Sequence, residues 1–259
     1  MTIHQGRHNM TPQGQSLTGK VAVITGASRG IGKAIAIAFA QAGASVCCAA
    51  RSTSDLDDVV KAIEAPGGQA LAVQTDVTRL ADIERMYQAT ADAFGGIDIV
   101  VVNAGGNLEN SSIADSDPAN WAATIELNLT GAYYCARNAI PYLQTRGGGK
   151  IITIGSGIGH NGRAGSSAYA CAKAGLWMLT RVLAQELWPH NISVNELIPG
   201  PVLTPGATQS WSQQDNAVNT IDSEWVKEPE AVVPLALFLA TQPDQGPTAQ
   251  SFSLMRRDV

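Results

Sequence analysis

The sequence has few of the residues that build metal sites, disulfide frameworks and nucleic-acid surfaces. Its 259 residues include only four cysteines, without a CxxC pair, and four histidines that are scattered along the chain. This pattern contains no metal-ligand cluster and favours reduced thiols in a cytoplasmic protein. The chain also lacks a run of lysines or arginines, and its formal net charge is -5. We therefore predict a cytoplasmic protein with no metal and no nucleic-acid partner.

Long hydrophobic runs are also missing. The N-terminus has no apolar h-region, and no apolar stretch is long enough to span a bilayer, so we expect no membrane partner. Hydrophobic residues make up 45% of the chain and charged residues 15%, which is typical of a globular protein rather than a disordered one. Residues 1–17 are polar and predict a flexible tail. Residues 18–259 contain no linker and no internal repeat, so we expect a single domain.

Short apolar runs alternate with helix-forming segments over most of the chain. A continuous alternation of this kind predicts one doubly wound α/β domain with helices on both faces of a sheet. The predicted strands are 21–25, 44–50, 70–74, 99–102, 150–154, 192–197 and 250–254. The predicted helices are 33–42, 54–65, 79–94, 118–143, 168–187 and 229–240.

A glycine-rich turn joins the first predicted strand to the first predicted helix. It reads Gly26-Ala27-Ser28-Arg29-Gly30-Ile31-Gly32, with the spacing G-x-x-x-G-x-G. Glycines let the backbone turn tightly and approach a pyrophosphate, whose charge is stabilised at a helix N-terminus. An ordinary βα turn is the alternative, but the position in the first βα unit favours a dinucleotide site.

The end of the second predicted strand bears on the choice between the two nicotinamide cofactors. An acidic residue there binds the ribose hydroxyls of NAD, whereas a basic residue accommodates the 2′-phosphate of NADP. This sequence has Ala50 at that point, followed by Arg51, and Arg29 lies in the glycine turn. Two guanidinium groups and no carboxylate favour NADP(H). If both arginines are ordinary surface residues, NAD(H) is the alternative.

Tyr169 and Lys173 are four residues apart in a predicted helix, so they lie one turn apart on the same face. A nearby ammonium favours the phenolate, so we expect Lys173 to lower the pKa of Tyr169 and make it an acid/base group. The spacing alone is weak, because most such pairs are structural contacts. Ser156 strengthens the hypothesis, since it ends the fifth predicted strand and can meet Tyr169 at the carboxyl rim of a parallel sheet.

Three further places in the sequence bear on the structure or on cofactor binding. Asp76, at the end of the third predicted strand, can accept a hydrogen bond from an adenine amino group or cap the helix that begins near Arg79. Asn128, inside the predicted helix 118–143, is either solvated or a structural polar contact. The small residues 103–106 follow the fourth strand and allow the backbone to approach a cofactor closely.

From Leu17 to about Leu254, these motifs together resemble the short-chain dehydrogenase/reductase family. The resemblance implies a seven-stranded parallel Rossmann sheet, a nicotinamide cofactor, a small-molecule carbonyl or alcohol substrate, and usually a homotetramer. The motifs that carry the resemblance are Thr25 to Gly32, Asp76-Val77, Asn103-Ala104-Gly105, Asn128, Ser156, Tyr169 with Lys173, and Pro199-Gly200 with Thr204.

The resemblance also implies a role for each residue of the catalytic set. Tyr169 moves a proton to or from the reacting oxygen, and Ser156 hydrogen-bonds that oxygen. Lys173 binds the nicotinamide ribose, and Asn128 bonds a water that connects Lys173 to solvent. Among the cofactor residues, Thr204 contacts the carboxamide and Asn103 supports the pocket. The implied cofactor-binding residues are Gly26, Ser28, Arg29, Gly30, Ile31, Gly32, Arg51, Ser52, Asp76, Val77, Asn103, Ala104, Gly105, Tyr169, Lys173, Pro199, Gly200, Val202 and Thr204.

The sequence departs from the family pattern in three places. Val102 replaces the first asparagine of N-N-A-G, a change that we expect to matter little. Ala249 replaces the glycine of T-G-Q, and we expect strain at a position that suits glycine. Met255-Arg256-Arg257 replaces D-G-G, which is expected to alter the active-site rim or a subunit contact. Residues 205–228 are predicted to form the substrate lid.

We therefore predict an NADP(H)-dependent oxidoreductase that interconverts a carbonyl and a secondary alcohol by hydride transfer. An NAD-linked alcohol or sugar dehydrogenase is the alternative within enzymes. A redox sensor that binds the dinucleotide without turnover is the alternative from another class, although such relatives usually lack the serine, tyrosine or lysine. A 3-oxoacyl carrier-protein reductase would need a basic docking patch, for which Arg137, Arg146 and Arg181 are the candidates.

Overall fold

A computed structural model describes residues 16–204 and 226–255. These residues contain a single seven-stranded parallel sheet in the order β3-β2-β1-β4-β5-β6-β7. The chain moves outward from β1 to β3 and then returns to the other side of β1, so the strand order reverses between β1 and β4. Ligands of such sheets bind at the carboxyl ends of the strands beside this reversal. The strands are β1 Val21–Thr25, β2 Ser45–Ala50, β3 Gln69–Gln74, β4 Ile99–Val102, β5 Gly149–Ile154, β6 Ile192–Ile198 and β7 Ser251–Ser253.

Helices cover both faces of the sheet, as predicted. On one face, α1, α2 and α8 pack on the core that contains Ile24 and Cys48, and on the other, α3, α5 and α7 pack on the core that contains Val23 and Cys47. The central strands are buried on both faces, which explains their nearly continuous apolar sequences. The helices are α1 Gly30–Gln41, α2 Thr53–Glu64, α3 Leu80–Phe94, α4 Pro118–Ile125, α5 Gly131–Thr145, α6 Gly157–Asn161, α7 Ser167–Leu187 and α8 Val233–Thr241. Short 3-10 turns occupy Ile113–Asp115, Trp188–His190 and Pro229–Val232.

The prediction of one uninterrupted helix over 118–143 is wrong. A π-helical segment, Glu126–Thr130, separates α4 from α5, and the backbone N–H of Gly131 bonds the carbonyl five residues earlier. The side chain of Asn128 donates from Nδ2 to Thr124 O over 2.8 Å, which satisfies a carbonyl inside the interrupted ladder. Local π segments of this kind often occur at functional sites.

The remaining boundaries differ from the predictions by at most four residues. The largest difference is at α8, which begins at Val233 rather than residue 229, because a 3-10 turn occupies Pro229–Val232. Helix α1 begins at Gly30 rather than residue 33, because the last glycines of the turn already belong to the helix. Leu17, assigned to the predicted tail, is buried, and its N–H donates to Ala42 O over 2.8 Å. The ordered chain therefore includes Leu17. The rest of the tail up to residue 15, most of the predicted lid (205–225), and Arg256 with Arg257 lie outside the described residues.

Ala249 has the strained backbone that the sequence predicts. Its φ is +59°, in the left-handed region that favours glycine, and its N–H is held by Val194 O at 2.9 Å. All four cysteines are free. None of the helices in the described ranges has both the length and the apolar character of a membrane span.

Candidate active site

The glycine turn leaves room that only glycines can provide. Gly26 has φ +67° and Gly30 has φ +55°, both in the left-handed region. A Cβ on Gly32 would overlap with Gly26 O and would lie 2.5 Å from Asn103 Nδ2. Thr204 closes the other side of the turn, since its Cγ2 would lie 3.0 Å from a Cβ on Gly30. The structure therefore brings the predicted cofactor residues of the turn, Asn103 and Thr204 together.

The first turn of α1 begins inside this cradle. Its N-cap residue, Arg29, makes no side-chain capping bond, and the first turn contains no acidic residue. The backbone N–H groups at the helix N-terminus are thus not satisfied by a capping side chain, and no carboxylate repels an anion there. The turn and the helix start fit a dinucleotide pyrophosphate.

Asn103 fastens the loop after β4 to the end of β1. The hydroxyl of Thr25 accepts the N–H groups of Asn103 at 3.0 Å and Ala104 at 3.1 Å, and Asn103 Nδ2 donates to Thr25 O over 2.8 Å. The two strands on either side of the order reversal are therefore held together at their carboxyl ends. The supporting role that the resemblance implies for Asn103 in the cofactor pocket stays a prediction.

Tyr169 and Lys173 lie on the same face of α7, as the spacing predicts. The Nζ atom of Lys173 is 5.6 Å from the centroid of the Tyr169 ring. Lys173 is buried, and Nζ donates to Ile154 O, at the end of β5, over 2.9 Å. A Cβ on Gly105 would lie 3.5 Å from this Nζ and 2.6 Å from Asn128 Oδ1, so Gly105 leaves the space between them open.

Asn128 is a buried structural contact rather than a solvated residue. Its Nδ2 donates to Gly106 O over 2.6 Å, and its Oδ1 accepts the Gly106 N–H over 3.1 Å. Both donors of the side chain are therefore used within the protein, one on Gly106 and one on Thr124. The water contact that the resemblance implies for Asn128 stays a prediction.

Ser156 caps α6 and faces Tyr169. Its hydroxyl accepts the Ile158 N–H over 3.3 Å at the start of the helix. Burial raises the pKa of Tyr169, and a side-chain hydrogen bond with Ser156 opposes this rise. The prediction that the pKa of Tyr169 is lowered is therefore wrong here, because desolvation of the phenolate outweighs the stabilising effects.

Lys173 has an altered pKa as well. Burial lowers the pKa of Lys173 to about 8, and the negative charge of Glu196 acts in the opposite direction. An ammonium is harder to keep charged where water is excluded. A pKa near 8 still leaves Lys173 predominantly cationic at neutral pH.

The end of β2 carries the residues predicted to select the cofactor. Ala50 is buried, and the side chains of Arg29 and Arg51 are exposed. Within the described ranges neither guanidinium makes an ion pair. Ser52 caps α2 by accepting the Asp55 N–H over 3.4 Å, which fixes the backbone beside Arg51.

Asp76 and Val77 follow β3. The Oδ1 atom of Asp76 accepts from both the N–H and the hydroxyl of Thr78, at 3.0 and 2.8 Å. Arg79, not Asp76, occupies the N-cap position of α3. Val77 is buried, and its Cγ2 would lie 3.0 Å from a Cβ on Gly131.

The loop after β6 contains the remaining predicted residues. Pro199 and Gly200 turn the chain, with φ +67° at Gly200, and buried Val202 forms a parallel bridge with Lys227. Thr204 is the last described residue before the gap and reaches the glycine turn.

The sequence analysis missed two residues beside this site. Glu196 is fully buried in β6, and its Oε2 lies 3.0 Å from Nε2 of His160 on α6. A carboxylate inside a predicted parallel strand whose residues are all buried was the available signal. Two of the candidate docking arginines have partners: Arg146 bonds Asp98 at 3.1 Å, and the Arg181 guanidinium lies 5.4 Å from the centroid of the Trp177 ring.

Comparisons with known proteins agree with this geometry. The family model described as short chain dehydrogenase matches residues 20–215. A 3-oxoacyl-[acyl-carrier-protein] reductase of Synechocystis sp. is 36% identical over 88% of this chain and 92% of its own. A cis-4-hydroxycyclohexanecarboxylate dehydrogenase of Sinomonas cyclohexanicum is 37% identical over 74% and 77%. The crystal structure of a short-chain type dehydrogenase/reductase from Mycobacterium marinum matches with a TM-score of 0.87 and 34% identity, over 93% of this chain and 96% of its own. The chain therefore belongs to the short-chain dehydrogenase/reductase family of NAD(P)-dependent oxidoreductases.

Proposed function

We propose that this protein is an NADP(H)-dependent oxidoreductase that interconverts a ketone and a secondary alcohol, with Tyr169 as the acid/base. The observation that best supports this proposal is the convergence of Ser156, Tyr169 and Lys173 beside Gly105, at the carboxyl ends of β4 and β5. When bound, the nicotinamide supplies or accepts the hydride. The chain itself has to bind the reacting oxygen and move one proton.

Tyr169 is set up to donate that proton. Because burial raises its pKa, the phenol is protonated at neutral pH and can act as a general acid toward the oxygen of a carbonyl that is being reduced. The Ser156 hydroxyl hydrogen-bonds the same oxygen and holds it in line. The protonated phenol is the form of Tyr169 that reduction of a carbonyl requires.

Lys173 orients the cofactor ribose. One of its three N–H donors is used by Ile154 O, which leaves two donors for the ribose hydroxyls. Because the ammonium is cationic near neutral pH, it also stabilises negative charge that develops on the Tyr169 oxygen during proton transfer. Asn128 holds Gly106 and thereby the wall opposite Lys173.

The cofactor preference that we propose is NADPH over NADH. Ala50 has no carboxylate that could bind a free 2′-hydroxyl or repel a phosphate. Arg29 and Arg51 are exposed and have no ion-pair partner among the described side chains, so both can bind the 2′-phosphate. The four free cysteines, three of them buried, support a reducing cytoplasmic location.

The substrate that we propose is a small ketone rather than a carrier-bound acyl chain. Arg146 and Arg181 already contact Asp98 and Trp177, which leaves Arg137 as the one proposed docking arginine without such a contact on the described surface. A panel of ketones, including a 3-oxoacyl thioester and cyclic keto acids, tests this proposal by the loss of NADPH absorbance. Turnover of the thioester alone would show that the substrate assignment is wrong.

We further propose a homotetramer. Met178, Val182 and Trp188 on or just after α7, and Tyr133 on α5, are exposed large apolar side chains. In a closed symmetric assembly these helices would bury such side chains against copies of themselves. Light scattering that measures a 27.0 kDa particle at micromolar concentration would refute this proposal.

A further inference from the structure

A buried carboxylate with two donors lies behind the proposed active site. Glu196 belongs to β6 and has no exposed surface. Its Oε2 accepts from Nε2 of His160 at 3.0 Å and from the Ser251 hydroxyl at 2.5 Å. Because a carboxylate only accepts, Nε2 carries a proton in either charge state of the imidazole. A buried carboxylate is costly unless it is hydrogen-bonded. If Glu196 served only stability, an apolar residue of similar size would stabilise the core as well or better, so the carboxylate points to another role.

Glu196 occupies the space beside the residue that precedes Ser156. A Cβ on Gly155 would overlap with Glu196 Oε1, so Gly155 has to lack a side chain because the carboxylate is there. His160, which bonds the same carboxylate, lies on α6, the short helix that Ser156 caps. The Glu196 side chain therefore contacts both ends of the segment from Gly155 to His160.

The same short helix packs directly on Lys173. A Cβ on Gly159 would lie 2.8 Å from the Cβ of Lys173. One turn further along α7, the Trp177 ring packs on the His160 ring, with centroids 4.9 Å apart. Helix α6 is thus held between Glu196 on one side and the Lys173–Trp177 face of α7 on the other.

We propose that Glu196, through its bond to His160, is a positioning residue for the active site: it fixes the Ser156 helix and places a negative charge that keeps Lys173 cationic. This inference rests on the proposed function, in which Lys173 acts as an ammonium. The groups that bond the carboxylate are His160 from α6 and the neutral Ser251 hydroxyl from β7. Lys173 from α7 is the cation on which the charge of Glu196 acts. Tyr169 lies beyond Lys173 on the same helix.

The charge of the Glu196 carboxylate acts on Lys173 through the low-dielectric interior, where it favours the ammonium. This support matters most on the alkaline side, where Lys173 would otherwise lose its proton. Burial alone depresses the pKa of Lys173, and Glu196 opposes this effect.

Glu196→Gln tests the proposal because it keeps the size of the side chain and removes the charge. The alkaline limb of the pH profile of kcat/KM for NADPH-dependent reduction should move to lower pH by about one unit. On the limb, such a move lowers kcat/KM about tenfold, since the active fraction there falls tenfold per unit. Glu196→Asp restores the charge and should return part of the shift. If the alkaline limb of Glu196→Gln lies at the same pH as that of the wild type, the proposal is wrong.

Asp98→Asn is the matched control. Asp98 is also a buried carboxylate, but it bonds Arg146 and the Val21 N–H at the opposite, amino-terminal ends of the strands. Asp98→Asn should lower the Tm without moving the alkaline limb of the pH profile. If it moves the limb as much as Glu196→Gln does, the shift reflects general destabilisation and the proposal is wrong.

A second test does not depend on turnover. Gly155→Ala should lower the Tm strongly in the wild-type background and much less in a Glu196→Ala background, because the overlap is removed. If Gly155→Ala lowers the Tm equally in both backgrounds, the positioning role is wrong. This test remains available if Glu196→Gln does not fold. Tyr169→Phe separates this inference from the proposed function. If Tyr169→Phe is inactive and Glu196→Gln leaves the alkaline limb unmoved, only the inference fails. If Tyr169→Phe is active, the acid/base assignment itself is wrong.

Discussion

Asn128 and Gly106 hold each other through two reciprocal hydrogen bonds. Nδ2 of Asn128 donates to Gly106 O over 2.6 Å, and the Gly106 N–H donates to Asn128 Oδ1 over 3.1 Å. The pair joins the π-helical segment, Glu126–Thr130, to the loop that follows β4. The Asn128 side chain therefore fixes the backbone of Gly106, which forms the wall of the site opposite Lys173.

Asn128→Ala should destabilise the protein and reduce turnover together. The change removes both partners of Gly106, and a buried polar group left without a partner costs about 1–3 kcal/mol. Asn138→Ala is a suitable control, because Asn138 makes a single local bond to Tyr134 O over 2.9 Å within α5. Thermal melts and NADPH turnover of both variants check this. Equal effects at the two positions would show that the Gly106 contact has no special role.

Tyr169→Phe should lower kcat by about 10²- to 10⁴-fold, the usual contribution of general acid/base catalysis. The substitution keeps the ring and removes the transferable proton, so NADPH binding measured by fluorescence should stay close to wild type. Tyr142→Phe removes a hydroxyl whose 3.4 Å bond to Gln88 lies elsewhere on the fold, and it should keep full activity. A Tyr169→Phe variant with more than about a tenth of wild-type activity would exclude the assignment.

Lys173→Met should raise stability at pH 7 while it abolishes activity. Burial lowers the pKa of Lys173 from its ordinary value of 10.5 to about 8, so the unfolded chain holds this proton more tightly than the native protein. Stability attributable to this group therefore increases as pH rises from about 8 to 10.5 and is lowest below that window. Lys173→Met avoids the free-energy cost of burying the ammonium, which is on the order of 1–3 kcal/mol. Part of this gain is lost, because Ile154 O no longer has its hydrogen-bond donor.

Chemical denaturation of both proteins across that pH range checks the Lys173 prediction. The advantage of Lys173→Met should shrink as the pH rises, because the wild-type lysine is then neutral in both states. A difference in unfolding free energy that stays constant from pH 7 to 10.5 would show that the ammonium is not penalised by burial.

Much of the fold could be predicted because parallel strands and their helices leave strong local patterns. Each buried strand is a short apolar run, and the glycine turn marks the first βα unit. The π-helical segment was not predicted. Asn128 within it bonds Gly106, a residue of another loop, and the local sequence does not reveal such a contact.

The site was predictable where spacing alone decides geometry. The four-residue separation of Tyr169 and Lys173 placed both on one helix face, and the strand end placed Ser156 nearby. The pKa direction of Tyr169 was not predictable, because burial is a property of the packed structure. The Glu196–His160 contact was missed for a similar reason: it depends on the register of β6 against β5 and on the short helix after Ser156, neither of which the sequence reveals.

Ala249→Gly should stabilise the protein. At φ +59° an alanine pays a steric cost of roughly 1–2 kcal/mol that glycine avoids, while glycine loses part of this gain through the entropy of the unfolded chain. The net increase in unfolding free energy should be about 0.5–1 kcal/mol, seen as a higher Tm. Ala42→Gly is a contrasting control, since Ala42 has φ -80° and should be destabilised by the same change. A lower Tm for Ala249→Gly would mean that contacts of the methyl group outweigh the backbone strain.

The cofactor preference should reverse in the double variant Ala50→Asp with Arg51→Leu. The new carboxylate at the end of β2 can accept the 2′-hydroxyl of NADH and repels the 2′-phosphate of NADPH, and the second change removes one guanidinium donor. Each lost charge-assisted hydrogen bond costs ~1.5–3 kcal/mol. Because every ~1.4 kcal/mol is tenfold in affinity, kcat/KM for NADPH should fall at least about tenfold. Steady-state kinetics with both cofactors measure this.

The control for the cofactor switch is Lys61→Leu, which removes an exposed positive charge from the far end of α2, where Lys61 pairs with Asp58 at 3.6 Å. A general loss of positive charge would weaken NADPH binding in both variants, whereas a local phosphate contact is lost only in the double variant. Arg29 remains in the double variant and should retain part of the NADPH affinity, so adding Arg29→Leu should lower it further. If wild-type enzyme uses NADH as well as NADPH, the two arginines do not bind the 2′-phosphate and the NAD-linked dehydrogenase replaces the proposed function.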